Sequence, residues 1–208
     1  MIKLQGKLPR EIMVAVSGGV DSMAALDFLR RNHKVEVFHF NHGTKNSDVA
    51  EDCVRRYVSK YDLPFQIRGI ENSHKPKHMS QEEYWREERY KWMEVFSQTH
   101  LQIVTCHHLD DCVETWVWSS MHGTGKIVPY RRNNIVRPFR QTRKRDFQLW
   151  ANLNNVSYVE DDSNTDTSYI RNYVRHEMMP NVLRVNPGIY KTISKKVRAD
   201  DGIESSEF

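Results

Sequence analysis

The feature that most constrains this chain is a short apolar run, residues 12–16, that leads directly into Ser-Gly-Gly-Val-Asp-Ser at residues 17–22. The apolar run predicts a buried strand, and the residues after it predict a helix that begins at or just after Asp21. Two adjacent glycines permit backbone angles that other residues resist, and they place no side chain between the main chain and a ligand. Backbone N–H groups that precede a helix N-terminus form a cradle for phosphate.

Two common phosphate loops do not fit these residues. The Walker loop closes with Gly-Lys-Ser or Gly-Lys-Thr, and no lysine lies between residues 17 and 22. The dinucleotide pattern GxGxxG is also missing. Asp21 is of the right chemical type to hold Mg²⁺ beside phosphate oxygens. The alternative interpretation is that the serines and the aspartate only cap a helix.

Along the chain, predicted strands alternate with predicted helices. The strands are expected at residues 12–16, 35–40, 65–68 and 101–105. The helices are expected at residues 22–31, 47–61 and 80–99, after residues 107–111 through Met121, and at residues 142–154 and 168–184. This alternation predicts a Rossmann-like α/β fold, an open parallel sheet with helices on both faces. The loop 41–43 then lies at the carboxyl edge of the sheet, where ligands bind. The candidate nucleotide-binding residues are Ser17, Gly18, Gly19, Val20, Asp21, Ser22 and His42.

Two details of these helices are predicted from single residues. Ser47 is expected to cap the second helix, and Pro180 is expected to kink or end the last one.

Three carboxylates, Asp110, Asp111 and Glu114, open the helix that follows the fourth strand. A capping arrangement, with aspartate as the cap and glutamate three residues on, explains two of them and leaves Asp110 over. The alternative is that the acids hold Mg²⁺, Asp110 together with Asp21, or bind a substrate ammonium group and keep it poised for deprotonation.

Two pairs of arginines are spaced by about one helical turn. Arg86 and Arg89 form the first pair, and Arg171 and Arg175 form the second. Each pair has the geometry to clamp a phosphate or a carboxylate. Ion pairs with neighbouring acids explain the same spacing, so both interpretations stay open.

The three cysteines, Cys53, Cys106 and Cys112, form no CxxC pair. This pattern argues against a disulfide framework or an iron–sulfur cluster and indicates a reducing compartment, the cytoplasm. A zinc site built from Cys106 and Cys112 with His107 and His108 is disfavoured, because neighbouring histidines on an extended chain point to opposite sides. No apolar run has the length of a membrane span.

Basic residues are concentrated in two segments, although the net charge is only +4. Residues 126–145 contain no acid, and a second basic group lies within residues 184–198. Such clusters suit a polyanionic partner, and a solvated basic face is the open alternative. The candidate contacts in the first segment are Lys126, Arg131, Arg132, Arg137, Arg140 and Arg143.

Taken together, these motifs resemble one family. They are SGGVDS (17–22), NHG (41–43), RxxRY (86–90), HHLDDxxET (107–115), EDDSN (160–164) and RNxxR (171–175). Their order and spacing resemble the tRNA(Ile)-lysidine synthetases of the PP-loop ATP pyrophosphatase superfamily, over residues 12–180. The resemblance implies a PP-loop, adenine nucleotide alpha hydrolase-like fold and a carbon–nitrogen ligase. Such an enzyme uses ATP to adenylate the C2 carbonyl oxygen of the wobble cytidine in a CAU-anticodon isoleucine tRNA. Free lysine then displaces AMP.

The resemblance also implies roles for the candidate residues. The loop at residues 17–22 would bind the departing pyrophosphate, with Asp21 on Mg²⁺. Asp111 and Glu114 would hold the lysine ammonium group, and Asp110 would help with metal or proton removal. A further set would contact substrate or neutralise phosphate charge: Arg86, Arg89, Arg171 and Arg175. The basic segment would contact the tRNA.

The chain departs from the family in two respects. Thr44-Lys45 stands where Leu-Arg is usual, and the Gly123-Thr124-Gly125 loop lacks a second glycine cluster. We also expect a short form without the C-terminal domains that help many members to grip the tRNA. We therefore expect a catalytic domain at residues 1–185 and a basic segment with a disordered tail at residues 186–208. The oligomeric state stays open, a homodimer included.

Two other functions compete with this one. Another PP-loop enzyme, a tRNA thiolase or an ammonia-using synthetase, lacks support because paired cysteines and a glutamine-hydrolysing domain are both missing. A catalytically idle nucleotide- or tRNA-binding remnant lacks support because the acids and arginines are intact at every motif.

Overall fold

Six strands form one sheet in the computed structural model, which describes residues 1–70, 75–98, 101–160 and 165–200. The strands are β1 (Glu11–Val16), β2 (Lys34–Asn41), β3 (Phe65–Gly69), β4 (Gln102–Thr105), β5 (Arg131–Arg132) and β6 (Ile135–Val136). The α-helices are α1 (Val20–Leu29), α2 (Lys45–Lys60), α3 (Gln81–Ser97), α4 (Leu109–Met121), α5 (Lys144–Leu153), α6 (Ile170–Tyr173), α7 (Met179–Val185) and α8 (Ile189–Ala199). A π-helical turn, Val174–Met178, joins α6 to α7.

The strand order is β3-β2-β1-β4-β6-β5, and every neighbouring pair is parallel except β5 with β6. The predicted Rossmann-like parallel α/β fold is therefore confirmed. Chain order reverses between β1 and β4, because β2 and β3 extend the sheet one way and β6 and β5 the other. Such a switch point opens a crevice at the carboxyl ends of the strands.

Side chains of β1 alternate between two apolar layers, as a strand buried on both faces requires. Val14 and Val16 join the cluster formed with α1, α2 and α5, whereas Met13 and Ala15 face the cluster formed with α3. This two-sided burial fixes the register of the central strand. The residues that follow Val16 are consequently held at a defined place on the sheet edge.

A third apolar cluster fastens the C-terminal helices to α4. It contains Leu109 and Val113 from α4, Met179 from α7, and Ile189 and Ile193 from α8. Helix α8, within the segment predicted to lie beyond the catalytic domain, is thus packed onto α4. The part of the predicted tail that begins at residue 201 lies outside the described residues. Within those residues, no helix combines the length and apolarity needed to cross a bilayer.

Two helix boundaries differ from the sequence prediction. Ser47 does not cap α2; the cap is Thr44, whose side-chain oxygen accepts the N–H of Ser47 at 3.1 Å. Pro180 lies in the first turn of α7, where its missing N–H costs little. The helix continues across the proline because the wider π-helical turn directly before it absorbs the distortion.

Candidate functional site

A cavity of about 420 Å³ opens at the carboxyl edge of the sheet, beside the ends of β1, β2 and β4. Volumes of this order are typical of small-molecule sites. The cavity brings together nine of the predicted residues from five parts of the chain. They are Ser17, Gly19, Asp21, Ser22, His42, Arg89, Asp111, Arg171 and Arg175.

The loop after β1 has the backbone that its glycines predicted. Gly18 has a φ of +89°, and a Cβ there would lie 2.9 Å from the Cβ of Ala50 and 3.0 Å from its carbonyl oxygen. A side chain at Gly18 is therefore excluded by both its backbone angle and its neighbour. At Gly19 a Cβ would have Ser17 Oγ as its nearest neighbour, 3.6 Å away. The loop thus presents bare backbone to the cavity.

Two hydroxyl groups brace this loop from within. Ser17 Oγ and Ser22 Oγ are 3.0 Å apart, and Ser22 Oγ also accepts the N–H of Ser17 at 3.1 Å. The hydroxyl of Ser22 can donate to the carbonyl oxygen of Gly19 at 3.0 Å. The serines fix the loop shape at the start of α1, whose cap, Gly19, has no side chain. Backbone N–H groups and the helix dipole are then available for an anion.

Asp21 is the best-placed carboxylate for a metal ion that accompanies phosphate. Its Oδ1 is buried and has no hydrogen-bond partner among the described residues, and its Oδ2 lies 3.5 Å from Nε2 of His108. A hard cation accepts such a lone carboxylate oxygen together with phosphate oxygens and water. The residues around Asp21 therefore fit Mg²⁺.

Asp110 does not share that position, which corrects the expectation that it is a spare acid. The His108 ring lies between the two acids, with Nε2 toward Asp21 and Nδ1 3.7 Å from Asp110 Oδ2. Asp110 instead accepts the N–H of Lys144 at 2.8 Å and pairs with Arg143 at 3.2 Å. These donors outweigh the effect of burial and lower the pKa of Asp110. In this arrangement both oxygens of Asp110 accept hydrogen bonds from Arg143 or Lys144, whereas Oδ1 of Asp21 accepts none from the described residues.

The cap of α4 also differs from the expected arrangement. His108 is the cap, and Asp111 is the residue three positions on: Nδ1 of His108 accepts the N–H of Asp111 at 3.2 Å, and Oδ2 of Asp111 accepts the N–H of His108 at 3.0 Å. Burial disfavours a charge on His108, but the carboxylates of Asp111 and Asp21 raise its pKa to about 9. A proton on Nδ1 would remove the capping bond, so the cap and the charged ring are alternatives.

The acids expected to hold an ammonium group are paired with the second arginine pair. Arg171 donates to Asp111 Oδ1 at 2.7 Å, and Arg175 binds both oxygens of Glu114 at 2.9 and 3.0 Å. Burial alone would raise the pKa of Asp111, but the charges of His108 and Arg171 hold it far below its usual value. Asp111 is therefore a weak base that stabilises a cation. We refer to these four residues as the acid–arginine cluster.

The first arginine pair is split between cavity and surface. Arg89 lines the cavity and is half-buried, and burial together with the charges of Arg86 and Arg171 lowers its pKa. Arg86 is exposed and stacks on Tyr90 at 4.8 Å. His42 lies at the other side of the cavity, where its ring is 5.1 Å from that of Trp85.

The basic segment is not a continuous surface, which corrects the predicted tRNA contacts. Arg137 and Arg140 are buried, with 3% and 0% of their surface exposed. Arg137 donates to the hydroxyl of Tyr90 at 3.2 Å, whereas Arg140 donates to the carbonyl oxygen of Val128 at 2.8 Å and pairs with Asp200. Their guanidinium groups satisfy backbone and side-chain acceptors inside the fold. Among the other candidates, Arg143 is half-buried, and those exposed are Lys126, Arg131 and Arg132.

His39, His107 and Cys106, which the sequence did not place among the nucleotide- or substrate-binding residues, also line the cavity. Nδ1 of His39 bonds to the carbonyl oxygen of Val16 at 2.8 Å, and its Nε2 is buried without a partner among the described residues. Burial lowers the pKa of His39, so Nε2 is an acceptor for a ligand N–H or O–H. Burial likewise keeps His107 neutral by lowering its pKa, and Cys106 Sγ donates to the carbonyl oxygen of Asp21 at 3.1 Å. Histidine at the end of an apolar strand was the available signal for His39.

Two further expectations concern metal ligands and a motif. Within the described part of the chain, no group of three or more His, Cys, Asp or Glu side chains is arranged to hold a metal ion. The acidic motif at residues 160–164 falls, apart from its first residue, outside the described residues.

The fold and the cavity together define a class of protein: a parallel α/β nucleotide-binding protein whose phosphate loop follows the first strand of the sheet. A sequence model of the PP-loop domain matches residues 2–182, and the chain therefore belongs to the PP-loop domain family. Membership of this family implies that the chain uses ATP.

Curated relatives confirm the resemblance found in the motifs. The tRNA(Ile)-lysidine synthase of Thermotoga maritima is 28% identical over 200 residues, which cover 89% of this chain and 48% of that protein. The enzyme of the same name from Thermosipho africanus is 31% identical over 199 residues, covering 85% of this chain and 44% of that protein. The chain spans about half the length of the curated relatives it matches.

Solved structures support the fold. The U34-tRNA thiolase NcsA from Methanococcus maripaludis, solved with its [4Fe-4S] cluster, has a TM-score of 0.73 at 17% identity. The superposition covers 95% of this chain and 74% of the thiolase chain. The NH3-dependent NAD synthetase from Campylobacter jejuni has a TM-score of 0.54 at 12% identity, and the superposition covers 94% of this chain and 86% of the synthetase chain. At these identities the likeness concerns the fold alone.

Proposed function

We propose that this chain is a tRNA-modifying ligase that uses ATP to attach lysine to C2 of the wobble cytidine in a CAU-anticodon isoleucine tRNA. The observation that carries the proposal is the shared cavity. The phosphate loop after β1 and the acid–arginine cluster at the start of α4 face the same space. The names of the relatives add support for the particular reaction.

The acid–arginine cluster supplies a way to couple the two substrates. Without ligands, the two acids and the two arginines neutralise each other. ATP brings a larger negative charge into the cavity, which competes for Arg171 and Arg175. When the arginines turn to the phosphates, Asp111 and Glu114 are left without their cations and take the side-chain ammonium of lysine. Exchange of ion pairs avoids leaving any of these charges buried and unpaired.

The reaction then proceeds in two balanced steps. The O2 atom of cytidine attacks the α-phosphorus of ATP, the bond to the bridging oxygen breaks, and pyrophosphate leaves. The amine nitrogen of lysine, after losing a proton, attacks C2, and the C2–O2 bond breaks to release AMP. In the first step, Arg89, Arg171 and Arg175 offset the charge that develops on the phosphates. The loop at residues 17–22 binds the pyrophosphate.

Mg²⁺ would be held by Asp21, whose Oδ1 is buried and has no partner among the described residues. When bound, the ion offsets charge on the phosphate oxygens. The chain's own residues set the position of that ion: Ser17 and Ser22 shape the loop, and His108 fixes the other oxygen of Asp21. Asp110 has no part in this site because its oxygens are taken by Arg143 and Lys144.

A tRNA thiolase is the second candidate, favoured by the TM-score of 0.73 with a solved thiolase. That structure carries an iron–sulfur cluster. Here Cys53 and Cys112 are buried, and the three cysteines take part in no cluster of potential metal ligands among the described residues. The cysteine arrangement therefore favours the lysine-transferring reaction.

Incubation with labelled lysine, ATP and total tRNA, followed by nucleoside analysis, tests the proposal. We expect label in one modified cytidine, together with lysine-dependent release of pyrophosphate. ATP turnover that incorporates sulfur instead would support the thiolase. Binding of nucleotide and tRNA without any turnover would support the idle remnant and overturn the proposal.

A further inference from the structure

A second cavity, of about 360 Å³, lies away from the nucleotide cavity, between the N-terminal segment, the start of α5 and helix α8. Four basic side chains line it, against the carboxylate of Asp146. The four are Lys3, Arg143, Arg145 and Lys191. Asp146 already accepts the N–H of Arg143 and pairs with the N-terminal amine. The wall of this second cavity is therefore strongly positive.

Helix α8 extends the same charge along one side. Residues at positions i, i+4 and i+7 share a helix face, and Lys191, Lys195 and Arg198 have this spacing. All three are exposed, and the opposite side of the helix buries Ile189 and Ile193 against α4. At 1.5 Å per residue the row extends about 10 Å. We call Lys3, Arg143, Arg145, Lys191, Lys195 and Arg198 the basic face.

Most cations of the basic face have no acidic partner. Within residues 1–70, 75–98, 101–160 and 165–200, the exception is Arg143, which pairs with Asp110. No ion pair with a described acid involves the other five, Lys3, Arg145, Lys191, Lys195 and Arg198. This contrasts with the acid–arginine cluster, where every cation is neutralised. An unpaired row of solvated cations attracts a polyanion and gains from release of its counterions.

The basic face is also held against α4 by contacts with Asp110. The hydroxyl of Tyr190 donates to Asp110 at 3.1 Å, and the guanidinium carbon of Arg143 stacks 3.3 Å above the Tyr190 ring. Asp110 in turn lies beside His108, whose other ring nitrogen faces Asp21. A ligand on the basic face is thereby kept at a fixed distance from the nucleotide cavity.

We propose that the basic face binds the sugar–phosphate backbone of the RNA substrate, at a site separate from the nucleotide cavity. The inference rests on the proposed function, because it takes RNA as the substrate. A row of cations about 10 Å long can follow a nucleic-acid strand and contact more than one of its phosphates. Contacts of this kind position a substrate without reading its bases. The exposed Arg131 and Arg132 form β5, an edge strand of the sheet, and do not line the second cavity.

The test compares two double charge reversals with the same helical spacing. Lys191→Glu/Lys195→Glu alters the basic face, and Arg56→Glu/Lys60→Glu alters exposed residues of α2. Binding of a labelled transcript of isoleucine tRNA with a CAU anticodon is measured by fluorescence anisotropy at several salt concentrations. We expect the first variant to weaken binding about tenfold or more and to reduce the salt slope by about 2. The second should stay within about twofold of the wild type.

Lysine transfer is measured with the same variants. For Lys191→Glu/Lys195→Glu we expect a raised KM for tRNA with kcat unchanged, and a milder effect for Lys191→Gln/Lys195→Gln, which adds no acid. Thermal unfolding checks that each variant is folded. Equal effects of the two double reversals, in a chain that transfers lysine, would overturn this inference and leave the proposed function standing. A wild-type chain that neither binds the transcript nor transfers lysine would overturn both.

Discussion

Two clusters in this molecule pair carboxylates with arginines, and they differ in what surrounds them. Asp27 is 1% exposed and accepts hydrogen bonds from Tyr57 at 2.6 Å, Arg30 at 2.6 Å, Arg31 at 2.8 Å and Trp150 at 2.9 Å. Arg30 and Arg31 directly follow α1, whereas Tyr57 lies on α2 and Trp150 on α5. Every lone pair of the carboxylate faces protein, so the Asp27 cluster joins helices and leaves no room for a ligand.

The acid–arginine cluster lines a cavity instead. Asp111 and Glu114 are buried, and Asp111, Arg171 and Arg175 line the nucleotide cavity. Arg175 also lies on the π-helical turn, a feature frequent at functional sites. A cation that lines the cavity can exchange its acid for a ligand anion there, whereas Arg30 and Arg31, although their side chains are 20% and 41% exposed, line neither of the two cavities. The comparison teaches that access to a cavity, more than pairing, separates a functional ion pair from a structural one.

The largest expected effect tests the functional side of this comparison. Asp111→Ala should reduce lysine transfer by about 10³-fold, on the order of 4 kcal/mol in the transition state, because an anionic partner of the ammonium group is lost. ATP affinity, measured by calorimetry, should be retained or increase, since the phosphate loop is intact and Arg171 loses the carboxylate that competes with the phosphates. Asp52→Ala, at an exposed position of α2, is the matched control. Undiminished transfer by Asp111→Ala would remove the acid–arginine cluster from the mechanism.

The structural side is tested by Asp27→Asn. Replacing this buried carboxylate leaves Arg30 and Arg31 without their anion, and we expect the free energy of unfolding to fall by about 3–5 kcal/mol. Urea denaturation measures the loss. The kcat of the folded fraction should be close to that of the wild type. A large fall in kcat with normal stability would reverse the assignment of the two clusters.

A smaller effect is expected from Arg175→Met, which leaves Glu114 without its bidentate partner. Lysine should bind this variant about fivefold more tightly in the absence of nucleotide, and a non-hydrolysable ATP analogue should no longer raise lysine affinity. Calorimetric titration with and without the analogue measures the coupling. Weaker lysine binding with unchanged coupling would contradict exchange of ion pairs.

The smallest effect is a pH dependence. The donors around Asp27 lower its pKa in the folded state against the effect of burial. Its contribution to stability is therefore complete above the ordinary carboxyl pKa of about 3.9 and is lost as the pH falls through the folded value. The difference in melting temperature between the wild type and Asp27→Asn should be constant above about pH 5 and should shrink progressively as the pH falls below about 4. A constant difference between pH 6 and pH 3 would argue against an ionised Asp27.

The sequence predicted the sheet and the phosphate loop well because both depend on local patterns. The apolar run of β1 predicts a buried strand, and the two glycines that follow it predict a loop of bare backbone, without reference to the rest of the chain. The cap of α4 was harder to assign, because histidine is an unusual cap and Asp111 satisfies two patterns equally. Thr44 and Ser47 illustrate the same problem, since both are capping types three residues apart and only the fold selects between them.

Long-range packing explains the remaining differences. Arg137 and Arg140 were expected to be exposed in a basic segment, but their acceptors include Tyr90, which is 47 residues away from the first, and Asp200, which is 60 residues away from the second. The pairing of Arg171 with Asp111 spans 60 residues as well. Spacing along the chain identified the three acids of α4 and the pair Arg171 and Arg175 as candidate site residues. It contained no information on which acid would pair with which arginine.

Gly18 and Ala50 make the phosphate loop dependent on a distant helix. Because a Cβ at residue 18 would lie only 2.9 Å from the methyl group of residue 50, the loop passes close to α2, and we expect a larger side chain at residue 50 to crowd it. Engineering that grafts the six loop residues onto another parallel sheet would consequently fail without a companion helix that presents alanine at the matching point. Libraries that diversify this protein should treat the two positions as one unit, although 31 residues separate them in the chain.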